Sequence, residues 1–226
     1  MSKPALAGAI DGYDSNVFVN CPFDGRYLAL LRPLLFTIAY LGYHPRIATE
    51  RSDSGESRLE KICELIRQSK FSIHDLSRLK AGRAREFYRM NMPFELGVDY
   101  GSRLHGPDFM QDKKFLILEK EPHDFKIALS DLSGVDIKNH GNEPDEVVRA
   151  VRDWFYETAG LRSAPYPTVI WWRFNDFTTS LFEDRLAEGI PADDVREDIE
   201  RMPIPEYLNS VVNWVATHED RDSGPR

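Results

Sequence analysis

The stretch NVFVNCPFDGRYLALLRPLLFTIAYLG, residues 16–42, decides the fold. Its first five residues are a short, largely apolar run closed by the turn-rich CPFDG, which predicts a buried strand. Beyond the turn, Leu28, Leu31, Leu35, Ile38 and Leu41 recur at helical spacing and form a wide apolar face suited to packing on a sheet. Pro33 is expected to kink this helix or to mark a later start. Gly42 is expected to stop it just past the C-cap. A strand, a turn and an apolar helix make up half of a β-α-β unit.

The same pattern then repeats along the chain. HPRIATE (44–50) predicts a second strand, and RSDSGESR a polar loop in which Ser54 or Ser57 caps the next helix. Glu60 stands three residues after Ser57, as in a capping box. That helix, SRLEKICELIRQS, is expected to turn Leu59, Ile62, Leu65 and Ile66 to one face. KFSIHDLS (70–77) predicts a third strand, and MPFELGVDYGSRL a helix with Pro93 in its first turn, where proline is tolerated. KKFLILEKE (113–121) and GVDIKNH predict a fourth strand and a short fifth. EPDEVVRAVRDWFYETAG predicts a helix with Val147, Val148, Val151, Trp154 and Phe155 inward.

This order implies an α/β fold: a flavodoxin- or Rossmann-like doubly wound parallel sheet of four to five strands, over residues 15–160. After RSAPYPT the strands cease, and VIWWRFNDFTTSLFEDRLAEG, ADDVREDIERM and PEYLNSVVNWVATH read as three helices. This C-terminal region, 161–218, is either a small helical subdomain or a bundle packed on the sheet domain. Residues 1–14 read as a flexible leader and 219–226 as a frayed tail. Trp171 and Trp172 are expected to pack the helical third on the core, or to form a lid or an oligomer face. A homo-oligomer is the expected assembly.

The net charge of −8 over 226 residues argues against a general nucleic-acid binder, which needs clustered Lys and Arg. Cys21 and Cys63 are too few for a disulfide framework and read as reduced thiols in a cytoplasmic protein. No run approaches the ~18 consecutive apolar residues of a membrane span, so no membrane partner is expected. Neither GxGxxG after strand one nor GxxxxGK[ST] is present, which disfavours a standard dinucleotide dehydrogenase or P-loop enzyme. No HExxH or CxxC is present, and no metal or resident cofactor is expected.

In open α/β sheets, ligands bind beyond the carboxyl ends of the strands. Here those ends collect Asn20, Cys21, Pro22, Phe23 and Asp24, then Arg51, Ser54 and Arg58, then His74, Asp75 and Ser77. The following helix adds Asn91 and Glu95. The set is polar and suits a sugar or nucleotide better than an apolar ligand. Glu95, between Phe94 and Leu96, is either a helix-start acid favoured by the dipole or a carboxylate held half-buried for a chemical task. Asp75 is either a turn former or a ligand contact. Arg51 and Arg58 either face solvent or meet phosphate. Cys21 reads as a small pocket filler, since no His partner is visible for a nucleophile.

VFVNCPFD, IHDLSR and NMPFELGVDYG, in this order on a βα scaffold, resemble the nucleoside 2-deoxyribosyltransferase and TIR-like superfamily, and most of all its bacterial TIR-like nucleotide-binding members. The resemblance covers about residues 16–120 and leaves the helical third outside it. It implies cleavage or exchange of the bond between a ribose C1 and a base nitrogen, with NAD or a nucleotide as substrate rather than cofactor. Glu95 would be the catalytic carboxylate, Asp75 would bind ribose or base, Asn91 would orient substrate or Glu95, and Asn20 to Phe23 would line the pocket. The GT that precedes the glutamate in deoxyribosyltransferases is absent here. The resemblance also implies non-catalytic nucleotide sensors and self-association modules as alternatives, and a role in bacterial defence. The chemistry passes through an oxocarbenium-like state that one nearby carboxylate can stabilise or attack.

Overall fold

The computed structural model describes residues 12–79 and 90–222. Five strands, β1 (Asn16–Asn20), β2 (His44–Ile47), β3 (Phe71–Asp75), β4 (Lys114–Glu119) and β5 (Lys138–Asn139), form one sheet in the order β2-β1-β3-β4-β5. All four pairings are parallel. The helices are α1 (Leu28–Tyr40), α2 (Arg58–Arg67), α3 (Asn91–His105), the short α4 (Phe125–Ala128), α5 (Pro144–Trp154), α6 (Pro167–Ala187), α7 (Ala192–Arg201) and α8 (Ile204–Asp222). The doubly wound α/β architecture expected from the strand–helix alternation is present, with a helical C-terminal region.

Side chains alternate across a strand with a period of two, and this sorts the core into layers. Val17, Val19, Phe71, Ile73, Leu116 and Leu118 face α1 and α5. Phe18 faces the other way, onto Ile62, Leu65 and Ile66 of α2. Ile117 packs with Met92 and Leu96 of α3. Leu59, expected on the inner face of α2, is 47% exposed instead. It sits in the first turn of α2, while the buried stripe begins at Lys61 and Ile62. Ser57 is the residue that caps this helix, its Oγ accepting from the Glu60 N–H at 3.4 Å.

Pro33 lies inside α1 and does not delay its start. Gly42, at φ +82°, donates to Ala39 O, and Tyr43 donates to Ile38 O at 3.1 Å. This pair of bonds satisfies the last carbonyls in the left-handed stop that glycine permits. At the N-terminal end, part of the expected leader is tied down: Tyr13 donates its hydroxyl to Phe109 O at 2.9 Å, and Asp14 pairs with Lys70 at 2.7 Å. Residues 1–11 lie outside the described residues, as do 223–226 of the expected tail. The tail's first residues continue α8 as far as Asp222.

The C-terminal helices pack on the sheet domain and share its core. Phe36 of α1 is the joint, with ring centroids 5.5 Å from Phe177, 5.6 Å from Phe174 and 5.9 Å from Trp214. One hydrophobic cluster runs from Val17 in the sheet through Leu35 and Phe36 to Phe177, Tyr207 and Val211. Truncating Phe177, 2% exposed, to Ala should therefore cost about 3–5 kcal/mol. Loss of sheet and helix signals should stay coincident in urea, because both report one core. A sheet transition left unmoved while the helical one shifts would contradict the shared core.

Candidate functional site

The strand order reverses direction between β1 and β3, which is the switch point where sheets of this order leave a crevice at their carboxyl edge. The register pairs Asn20 directly with His74 there. Asn20 Nδ2 donates to His74 Nδ1 and to Met92 O, both at 3.0 Å. A carbonyl can only accept, so the Asn20 amide nitrogen must face Met92 O, and His74 Nδ1 must accept. The His74 proton then lies on Nε2, which donates to Asp99 Oδ2 at 3.0 Å. Asp99 Oδ1 is 3.2 Å from Lys113 Nζ, whose other contacts are the carbonyls of Ile66 and Ser69.

Asn20, His74, Asp99 and Lys113 are all buried. Burial pushes the Asp99 carboxyl up, but the His74 hydrogen bond and the Lys113 charge outweigh it and hold the group below the usual carboxylate range. Burial pulls Lys113 down, against the opposing pull of Asp99. This chain fixes the Asn20 amide from behind and leaves Asn20 Oδ1 buried without a hydrogen-bond partner. Thr49 Oγ1, just past the end of β2, is buried and unpartnered as well. Two orphan oxygens at neighbouring strand ends are the kind of exception that calls for a ligand or a bridging water.

Glu95 lies one turn into α3 and is only 4% exposed. Among the described residues its charged neighbour is Arg58 at the start of α2, with Arg58 Nη2 3.8 Å from Glu95 Oε1. The Arg58 guanidinium also lies over the Phe23 ring, 5.8 Å from its centroid. Burial raises the Glu95 carboxyl from its ordinary 4.5 to about 7, and the half-exposed Arg58 offsets only part of that. Phe94, next along the helix, is 56% exposed. Glu95 is thus not the solvated helix-start acid of the first alternative. Cys21, fully buried, has its thiol pushed well up by burial and then by the charges of Asp75, Glu95 and Asp24, so it stays a protonated filler.

Asp75 is placed differently from Glu95. It neighbours His74 on β3, so the two side chains leave on opposite faces of the sheet. Tyr27 Oη donates to Asp75 Oδ2, His140 Nε2 lies 3.1 Å from the same oxygen, and Ser77 N–H donates to Oδ1 at 2.8 Å. Ser77 Oγ closes the ring, 2.9 Å from His140 Nε2. Asp75 is fully buried, and protein groups occupy both its oxygens. The expectation of a carboxylate free to meet ribose or base therefore gives way to a latch tying β3 to the start of α1 and to the turn after β5.

The remaining expected contacts divide in the same way. Asp24 pairs with Arg78 at 2.6 Å and accepts from the Arg26 and Tyr27 N–H groups, bracing the start of α1. Arg51 is held by Glu56 at 2.7 Å and by Glu64, so its guanidinium braces the loop before α2. Pro22 is buried and Phe23 half-buried at the rim, while Ser54 and Asn91 are exposed. Four buried participants went unnamed in the sequence reading: Tyr27, Asp99, Lys113 and His140. Asp99 was the most accessible of them, since it stands four residues after Glu95 on the same helix and breaks an apolar stripe. Among the described residues no group of three or more His, Cys, Asp or Glu is disposed to hold a metal ion. No described helix is long and apolar enough to cross a membrane.

Comparison with protein-family models, with curated proteins and with solved structures returned no match.

The raised Glu95 acidity has a definite consequence for stability. Below about pH 4.5 the carboxyl is protonated whether the chain is folded or not, and burial costs nothing extra. As pH rises toward 7, the unfolded chain loses this proton first, and the folded state loses about 3 kcal/mol relative to it. Glu95→Gln should therefore unfold at higher urea than the wild type at pH 8, with the gap closing toward pH 4.5. Equal midpoints at pH 8 would mean that the carboxylate is solvated.

Proposed function

We propose that this chain cleaves an N-glycosidic bond, or transfers a ribosyl group, on NAD or a related nucleotide, with Glu95 as the catalytic carboxylate. The observation that carries the reading is a nearly dry carboxylate beside the switch point of a parallel sheet, with its pKa raised by burial. A structural acid gains nothing from such a position, whereas a carboxylate facing a developing oxocarbenium ion acts more strongly in a low-dielectric setting. The unpartnered Asn20 Oδ1 and Thr49 Oγ1 support a polar ligand that brings hydroxyl or amide donors. Arg58 and the Phe23 ring suit a phosphate and a flat base.

Among the described residues, the other acid expected to act with Glu95 is fully engaged. Both oxygens of Asp75 are hydrogen-bonded within the protein, and both ring nitrogens of His74 have partners. A neutral purine or pyrimidine needs a proton to leave, and nicotinamide, already cationic in NAD, does not. This favours NAD over deoxynucleosides. The second reading, a nucleotide sensor without turnover, is favoured by one observation: a carboxyl titrating near 7 is half protonated at neutral pH and can serve as a hydrogen-bond donor to a bound ligand.

Purified protein incubated with NAD should release nicotinamide, with kcat/KM rising as pH passes through about 7 and Glu95 ionises. Glu95→Gln should lower the rate by about a hundredfold or more. Deoxynucleosides should be cleaved far more slowly. Calorimetric binding of NAD without release, in wild type and variant alike, would select the sensor. Neither binding nor release, including under conditions that promote assembly, would sink both readings.

A further inference from the structure

We propose that a groove between α1, α6 and α7 is a second ligand site, built for a small amphiphilic carboxylate: one negative charge on an apolar body. Two adjoining cavities of about 390 and 440 Å³ lie there and share Arg32, Thr178, Ile199 and Glu200. Each is within the size range of small-molecule sites. The wall of the first is the apolar face of α6, with Trp171, Phe174, Phe177 and Leu181. These residues belong to the aromatic stretch that the glycosidic chemistry leaves without a role.

Arg32 supplies the head-group contact. Arg32 Nη2 donates to the carbonyls of Ile199 and Glu200 at the C-terminal end of α7, and the guanidinium lies 5.4 Å from the Tyr207 ring centroid. Those bonds staple α7 to α1 and set the guanidinium at the negative end of the α7 dipole, a partial charge rather than a full counter-ion. Arg32 Nε is buried with no hydrogen-bond partner, and no carboxylate of the described residues lies within ion-pair distance of the guanidinium. The contrast with its neighbours is direct: Arg185 pairs with Glu206 and Arg196 with Asp193, both at 2.7 Å. Burial pulls Arg32 below its usual value, and Tyr207 and the exposed Glu200 return only part of that.

A half-buried cation beside aromatic walls thus has only the dipole end of α7 and the exposed Glu200 nearby, and no paired carboxylate among the described residues. A monoanion supplies the full counter-charge, and an apolar body covers the rings. A dianion such as a phosphate monoester would bring its second charge toward Glu200. The groove also borders Gly25 and Leu28, in the segment that follows Phe23 and Asp24 at the strand-end site.

Decanoate, decanol and acetate, each titrated calorimetrically into the full chain below micelle-forming concentrations, test the proposal. Decanoate is expected to bind saturably, with decanol and acetate each at least tenfold weaker. Ala29→Trp, at an exposed position on the groove wall, should fill the groove and weaken decanoate at least tenfold without lowering the unfolding temperature. Arg32→Gln should weaken decanoate similarly and leave decanol unchanged. Glu95→Gln should bind decanoate as the wild type does, which separates this site from the glycosidic one. No saturable decanoate binding by the wild type, equal affinity for decanoate and decanol, or an Ala29→Trp variant that binds as the wild type would overturn it.

Discussion

The carboxyl end of β3 is the constraint on which the rest of the site depends. His74 and Asp75 are adjacent in the chain, and the strand's pleat sends them to opposite faces. On one face His74 meets Asn20 across the β1–β3 pairing and Asp99 from α3. On the other, Asp75 gathers Tyr27 from the start of α1 and His140 from beyond β5. A shift of one residue in the β1–β3 register would reverse both sets and bury two polar groups against hydrophobic helices. The parallel pairing and the two polar clusters therefore hold each other in place.

The buried chain from Asn20 to Lys113 is costly in isolation, since it takes a lysine and an aspartate out of water. It persists because its members face one another with few hydrogen-bonding positions left over. The visible exception is Asn20 Oδ1, on the side away from the chain. Glu95 is the opposite case. Among the described residues it is buried beside one half-exposed arginine, which offsets only part of the burial penalty. Local destabilisation of this sort is common where a carboxylate must be kept reactive.

The helical third adds stability as well as surface. Phe36 reaches from α1 into the rings of α6 and α8, so the helices cover a face that a free-standing sheet domain would expose. The same packing brings α7 against α1 and leaves Arg32 between them with its Nε unpartnered and no paired carboxylate among the described residues. One helix, α1, thus contributes Tyr27's neighbourhood to the strand-end site at its start and the Arg32 groove farther along.

The sequence by itself determined the strand–helix alternation, the parallel sheet, the Gly42 stop, a serine cap narrowed to Ser54 or Ser57, and the burial of Val147, Val148, Val151, Trp154 and Phe155, because each rests on local periodicity or on one residue's backbone preference. It also singled out Glu95, an acid flanked by apolar residues on a helix that follows a strand. It could not say that Leu59 would face solvent, since the inner stripe of α2 depends on where β1 lies beneath it. Nor could it separate Asp75 from Glu95, because which face of the sheet each tip occupies follows from strand register and from where α3 crosses. His140 and Tyr27 lie 65 and 48 residues from the carboxylate that they hold, and Lys113 lies 14 from Asp99. Only the tertiary structure decided those partnerships, because a buried charge takes its partner from whatever the packed elements bring within hydrogen-bond reach, and sequence distance has no bearing on that.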